Sequence, residues 1–383
     1  MTSKLEKRKF NQQRRIIMEN KEKQDPFRNT VLKCYPTYYK KRILKQASEA
    51  GFLILSHKSN NNLRDLPDVI DVSSFETVDE KLDQILNSSA IREMIENMKY
   101  SKQYRMFAYF SLDELDSNHL SSVLNSDKVI SAKDVSLCDC SALDDVITYS
   151  FDGTNLSLKF EFLLKDSENG VEIQYPVLAY VDLANAILEI RLDPISINYK
   201  RSYDYYKDTI IIVRNRISNL LNCSVKDIDF RAVFDFLKYE DADLDIYAQK
   251  MTRNKTSAYL ESFEEEDIVI PILGELQNLM ACNKELFCEN DSTKKIKSLL
   301  EKFIKKIEID SDIPQLKVRF EELNAKVGIT HNYKGAQFSL FRYYEDLKKT
   351  REVVDNVRRY FVQAYKKLGE PTSTQSVSNE PTL

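Results

Sequence analysis

Between residues 146 and 192 apolar and polar side chains alternate with a period of two. Leu156, Leu158, Phe160 and Phe162 fall on one side, and Ser157, Lys159 and Glu161 on the other. That period is the signature of extended chain, and it predicts a sheet packed on one face and wet on the other. Asp152-Gly153 breaks the alternation with a hairpin turn, because glycine takes positive φ without steric cost. Pro176 interrupts the third run. Lacking an N–H, it predicts an edge position or a bulge there.

Elsewhere the pattern changes. Residues 31–140 read as a small α/β unit. A helix over 38–50 closes at Gly51, and the apolar run 52–55 is a short strand. Helices follow over 77–86 and 89–98, then an aromatic strand over 104–112 and a helix from Ser117 to residue 124. From residue 199 to about 307 the apolar spacing lengthens toward 3.6, as at Ile210, Val213, Ile217, Leu220 and Leu221. Further helices are predicted over 227–239, 241–263, 268–287 and 292–307. Past Pro314 a hairpin turns at 322–325. A long helix then runs over 339–369, with Val353, Val357, Tyr360, Phe361 and Ala364 on its apolar stripe.

The expected fold class is therefore α+β: a small N-terminal α/β unit, an antiparallel β-meander, then a largely helical C-terminal region with a late β-hairpin and a long terminal helix. The corresponding divisions are a basic arm (1–30), the α/β domain (31–140), the meander (141–198), the helical region (199–313), the hairpin with its basic helix (314–369) and a polar tail (370–383). A chain of 383 residues exceeds the size at which one core stops growing, so several domains are expected.

Composition excludes several chemistries. Only seven glycines occur, no two within four residues of each other, so neither a GxxxxGK[ST] phosphate loop nor a GxGxxG dinucleotide turn can be built. The six cysteines form no regular framework; Cys138-Asp139-Cys140 has one spacer and no second pair. His57, His119 and His331 are the only histidines, and none adjoins a cysteine. No metal and no cofactor are expected. No apolar run is long enough to cross a bilayer, and the charged start has no apolar signal core, so a cytoplasmic protein with no membrane partner is expected.

Charge is unevenly placed. Residues 1–45 carry a net +10 and 314–369 a net +6, while 46–313 carry −18. Tyrosine is interleaved with cations in several places. One cluster holds Tyr38, Tyr39, Lys40, Lys41 and Arg42, and another Lys200 and Arg201 beside Tyr203, Tyr205 and Tyr206. Arg342 and Tyr343 form a third, and Arg358, Arg359, Lys366 and Lys367 a fourth. The arm adds Lys7, Arg8, Lys9, Arg14 and Arg15. Cations neutralise phosphates and release counterions, and a phenol ring offers a face on which an unpaired base stacks. These residues are the candidate nucleic-acid contacts, DNA or RNA, and the expected function is non-catalytic nucleic-acid binding. High Lys, Asn and Ile with no Trp hint at an AT-rich genome and a phage or plasmid setting.

Two alternatives remain. One is a protein-interaction subunit, homo-oligomeric or paired with another protein. The other is a Mg²⁺-dependent nuclease built on Asp182 and Glu189, with Arg191 where such sites place a lysine; arginine stays protonated and is a poor base. A winged-helix arrangement is a further expectation. It would use Lys294, Lys295, Lys297, Lys302, Lys305 and Lys306 on a recognition helix, with 317–326 as the wing.

Overall fold

The computed structural model describes residues 25–55, 69–113, 115–134, 146–240, 245–253, 256–261, 271–309, 312–320, 322–323, 325–344 and 351–369. The chain divides into two compact units. Unit 1 is Met1–Lys226 with Asp346–Arg351, and unit 2 is Asp227–Glu345 with Glu352–Leu383.

The described part of unit 1 opens with a helical turn, Pro26–Asn29, that widens into a π-turn, Thr30–Cys34. Helix α1 (Thr37–Glu49) follows, then the short parallel strands β1 (Leu53–Ile54) and β2 (Ile70–Asp71). Helix α2 (Val78–Ile85) starts at a capping box: the Thr77 hydroxyl accepts from the Glu80 N–H, and the Glu80 carboxylate accepts from the Thr77 N–H. Helix α3 is Ser89–Met98. Strand β3 (Met106–Leu112), helix α4 (Ser117–Leu124) and strand β4 (Val129–Ser131) lead to β5 (Ile147–Phe151), β6 (Asn155–Lys165), β7 (Glu172–Asp182) and β8 (Ile187–Leu192). Helix α5 (Tyr205–Leu221) and the short strand β9 (Val225–Asp227) close the unit.

The sheet order in unit 1 is β3-β8-β7-β6-β5-β4, antiparallel except for β4 beside β5. The meander strands thus do not stand as a separate element between an α/β domain and helices: β8 pairs with β3 from Met106↔Leu192 to Ser111↔Ile187. Pro176 lies in the part of β7 beyond its pairing with β8, which covers only Leu178–Asp182, so its missing N–H costs no rung on that side. There the turn residues take over: the Gln174 N–H donates to Thr30 Oγ1 at 2.8 Å, and Asn29 Nδ2 donates to the Glu172 carbonyl at 2.9 Å.

One face of this sheet is apolar, with Leu156, Leu158 and Phe160 opposite Val181, Ala179 and Val177, and it receives α5 through Tyr205 against Tyr175 and Arg214 over Phe110. The other face corrects the sequence reading most sharply. Ser157, Lys159 and Glu161 are expected wet, yet all are buried, and Lys159 is only 2% exposed. Helix α3 covers them and supplies counter-charges. Lys99 Nζ lies 2.6 Å from Glu96 Oε1 and 3.0 Å from Glu161 Oε1. Lys159 pairs with Glu96 and, at 3.2 Å, with Glu161. Two ammonium and two carboxylate groups close a neutral quartet inside the core, the form in which buried charge is tolerated.

Unit 2 corrects the expectation of a largely helical C-terminal region. Helix α6 (Phe230–Glu240) is followed by strands β10 (Asp245–Arg253) and β11 (Thr256–Glu261), where a helix over 241–263 is predicted. Ala, Leu, Glu and Lys in that stretch favour helix weakly, and pairing along both sides of β10 outweighs them. Helices α7 (Pro271–Cys282), α8 (Lys284–Cys288) and α9 (Asp291–Ile309) form a small cluster around Met280 and Ile304. Strands β12 (Asp312–Phe320), β13 (Ala325–Thr330) and β14 (Leu340–Tyr343) precede helix α10 (Arg351–Gly369). The long predicted helix over 339–369 therefore loses its first residues to β14, which pairs with β13 from Thr330↔Leu340 to Val327↔Tyr343.

The order in unit 2 is β11-β10-β12-β13-β14, antiparallel throughout. The β12–β13 hairpin thus has a strand on each side and is not a projecting wing. Phe361 of α10 closes the apolar side, its ring 5.3 Å from Phe341, 5.5 Å from Phe234 and 5.7 Å from Phe320. The pairs with Phe234 and Phe320 are edge-to-face, and such pairs add about 0.5–1.5 kcal/mol each beyond their buried area.

Candidate nucleic-acid interface

The side of the unit 2 sheet away from Phe361 has a different chemistry. Lys317 pairs with Gly328, and Gly328 with Arg342, so these three positions form one row across β12, β13 and β14. Arg319 pairs with Lys326, and Lys250 with both Gln315 and Tyr259. Because side chains two apart on a strand share a face, Lys250, Lys317, Arg319, Lys326 and Arg342 all lie on this one.

Tyrosines stand among the cations. Lys317 Nζ lies 5.3 Å from the ring centre of Tyr259, 5.4 Å from that of Tyr344 and 5.7 Å from that of Tyr247. The Arg319 guanidinium lies 5.2 Å from the Tyr247 ring. Tyr259 and Tyr344 remain 51% and 53% exposed, while Tyr247 is buried. Gly328 makes room for this arrangement: a Cβ there would come within 2.2 Å of Tyr344 Cε2, so the ring lies directly over the glycine. A hydrogen bond to Tyr259 holds the Lys317 ammonium above its usual pKa, so it stays charged at neutral pH. Glu261 and Asp245 face Lys317 and Arg319 at 3.6 and 3.2 Å. Partly exposed ion pairs of this kind are worth about 0–1 kcal/mol, so a phosphate can replace the carboxylates at small cost.

The cation–tyrosine clusters read from sequence do not gather into one track. Lys7, Arg8, Lys9, Arg14 and Arg15 lie outside the described residues. In α1, Tyr39 is buried against Tyr35 and Tyr38, and Lys40 is buried with its Nζ on the Leu32 carbonyl and Asp79; Lys41 and Arg42 are exposed. Lys200 lies over the buried ring of Tyr206, and exposed Arg201 donates to the Leu163 carbonyl. Of the third cluster, Arg342 is exposed on the cationic face, whereas Tyr343 is buried on the opposite one. In α10, Arg358 is buried, and Arg359, Lys366 and Lys367 are exposed on a helix packed against the apolar side of the sheet. The tyrosines beside cations in sequence mostly bridge core and surface, a common use of that side chain.

Tyr247, Tyr259 and Arg319 escaped the sequence reading. Tyr247 and Tyr259 lie in β10 and β11, where the sequence predicts a helix, and Arg319 lies in the predicted hairpin with no tyrosine beside it in the chain.

The acidic alternative sits deep in unit 1. Glu189 is fully buried, and Arg191 Nη2 donates to its Oε2 at 2.7 Å while its guanidinium lies 4.6 Å from the Tyr180 ring. Asp182 accepts from the Asn185 N–H at 3.0 Å and from Asn185 Nδ2 at 2.9 Å, closing the β7–β8 turn. Among the described residues no three His, Cys, Asp or Glu side chains converge to hold a metal ion.

The quartet ties stability to pH. Burial pushes the Glu96 carboxyl up, but Lys159 and Lys99 outweigh it and hold the group at about 2. Burial likewise pushes the Lys99 ammonium down, and Glu161 and Glu96 more than reverse it, holding the group above its usual value. The lowered carboxyl contributes stability that is complete above its unfolded pKa and is lost as pH falls through the folded value. The raised ammonium contributes stability that is complete below its unfolded pKa and is lost on the alkaline side. Urea unfolding at a series of pH values should give a plateau between about pH 5 and 10, with a fall from about pH 4.5 toward 2. A flat acid limb would contradict the charged quartet.

No helix among the described residues is long and apolar enough to cross a membrane. Comparison with protein-family models, with curated proteins and with solved structures finds no match to this chain.

Proposed function

We propose that this chain binds single-stranded nucleic acid through the cationic, tyrosine-bearing face of the unit 2 sheet. One observation carries the reading: the Lys317 ammonium is ringed by Tyr247, Tyr259 and Tyr344, with two of those rings more than half exposed. Unpaired bases stack on exposed phenols without regard to sequence, while Lys250, Arg319, Lys326 and Arg342 follow the phosphates. Base pairs stacked inside a duplex do not offer their faces to such a surface, so single strands are the preferred ligand.

The test is anisotropy of a labelled oligothymidylate and an oligouridylate with the full chain across a salt series. Single strands lose affinity with a logarithmic slope of roughly 0.7 per neutralised phosphate, so five cations predict a fall of about 10²-fold between 50 and 200 mM salt. A flat profile, or no binding at 50 mM, rejects the proposal.

A second reading, as an interaction subunit, is favoured by a separate observation. Ile296, Leu299 and Phe303 form an exposed apolar stripe on α9, with Leu279 and Leu286 exposed on the adjoining helices. Size-exclusion with and without nuclease treatment separates the two. A defined oligomer free of nucleic acid favours the second, and co-purifying nucleic acid favours the first.

A further inference from the structure

Helix α9 carries two apolar rows, and among the described residues only one of them is covered. Leu300, Ile304 and Ile307, spaced four and three residues apart, pack with Leu276, Met280 and Phe287 of α7 and α8. Ile296, Leu299 and Phe303, spaced three and four apart, lie beside that row and are 51, 67 and 55% exposed. Single apolar side chains scattered over a surface are ordinary, but three set one turn apart make a continuous ridge. The spacing is that of the a and d positions by which one helix packs against another, with a at Ile296 and Phe303 and d at Leu299. Ser292 and Lys306, at the d positions before and after, end the ridge.

In this register Lys295 and Lys302 take both g positions, which border the ridge and form the ion pairs between packed helices. Both are exposed. Two other lysines pair within the helix: Lys294 with Asp291 at 3.8 Å and Lys297 with Glu301 at 3.7 Å. Lys295 and Lys302 form no ion pair among the described residues. The opposite border, position e, is held by Leu300 and Ile307, which belong to the covered row.

Charge then selects the occupant. A second copy laid antiparallel would set g against g, lysine against lysine. Laid parallel, it would set each lysine against Leu300 or Ile307 of the other copy. Neither arrangement gives the two ammonium groups an acceptor.

We propose that α9 docks an amphipathic helix of another protein, one whose apolar seam is bordered by glutamate or aspartate facing Lys295 and Lys302. The inference rests on the reading of the chain as an interaction subunit, for which it names the surface and the partner's chemistry. Burial of the three ridge side chains drives association, and the two lysines choose the partner by charge.

The probe is a labelled synthetic peptide of about four heptads, with leucine at a and d and glutamate at e and g; its own charge repulsion keeps it single at neutral pH. A control peptide carries lysine at e and g. Anisotropy with the full chain should show saturable binding of the glutamate peptide, about tenfold or more tighter than the control. Leu299→Gln should weaken that binding about tenfold or more, and Lys295→Glu with Lys302→Glu should reverse the order of the two peptides. All three positions are exposed, so these variants should keep the Tm within a few degrees of the parent.

No binding of either peptide, equal binding of both, or binding that Leu299→Gln leaves unchanged overturns the proposal. A dimer in sedimentation that Leu299→Gln breaks would put a second copy on the ridge and keep the interaction-subunit reading. Leu299-dependent sedimentation with phosphatidylglycerol vesicles, without peptide binding, would assign the ridge to an anionic lipid surface. Peptide binding that appears only after the acidic residues 264–267 are changed to Gln and Asn would assign it to the chain's own acidic run. A monomer that binds neither peptide nor vesicle removes the support for the interaction-subunit reading as well.

Discussion

Glu96→Gln should cost the protein about 3–5 kcal/mol of unfolding free energy, the range found when one partner of a buried ion pair is removed. The size of the effect follows from what is left behind. Lys99 is fully buried and Lys159 nearly so, and both ammonium groups bond to Glu96. With Glu96 neutral, Glu161 alone faces two positive charges that cannot reach water. Replacing all four members with apolar residues of similar volume (Glu96→Leu, Lys99→Met, Lys159→Met, Glu161→Leu) should cost far less than the single change, because desolvation is then avoided instead of left uncompensated. Urea denaturation of both variants decides it. A Glu96→Gln loss below about 1 kcal/mol, or a quadruple variant less stable than the single one, would show that the quartet is not the closed network described.

The second large effect concerns the unit 2 face. Tyr259→Ala with Tyr344→Ala should lower single-strand affinity by about 10²-fold, since base–aromatic stacking is worth roughly 1–3 kcal/mol per base. The same pair of changes should leave unfolding within about 1 kcal/mol of the parent, because both rings are largely exposed and neither closes the core around Phe361. The slope of log affinity against log salt should be unaffected, as the cations remain. Equal binding by parent and double variant would remove stacking from the account.

What the sequence made legible was the periodicity, and what it hid was coverage. The alternation from Leu156 to Phe162 marks an extended strand, and β6 lies there. A period of two separates the faces without saying which face meets a neighbour. Lys159 and Glu161 look like wet-side residues until α3 brings Glu96 and Lys99 over them from some sixty residues away in the chain. The strand content of unit 2 was obscured for a related reason. The segment holding β10 and β11 is rich in helix formers, and only its non-local pairing with β12 makes it sheet.

The candidate interface was legible only in part. Adjacent Tyr and Lys/Arg in the sequence drew attention to Tyr39, Tyr206 and Tyr343, which the fold buries. Tyr344, beside Arg342 and Tyr343 in the sequence, stays exposed, and it and Tyr259 meet Lys317 across strands, a proximity that linear spacing does not encode.

The most direct test is photo-crosslinking of a single-stranded oligonucleotide carrying 5-bromouracil to the full chain, followed by peptide mapping. The account predicts crosslinks on peptides containing Tyr247, Tyr259 or Tyr344, lost at high salt. Crosslinks confined to the α10 cations Arg359, Lys366 and Lys367, or none at low salt, would contradict it.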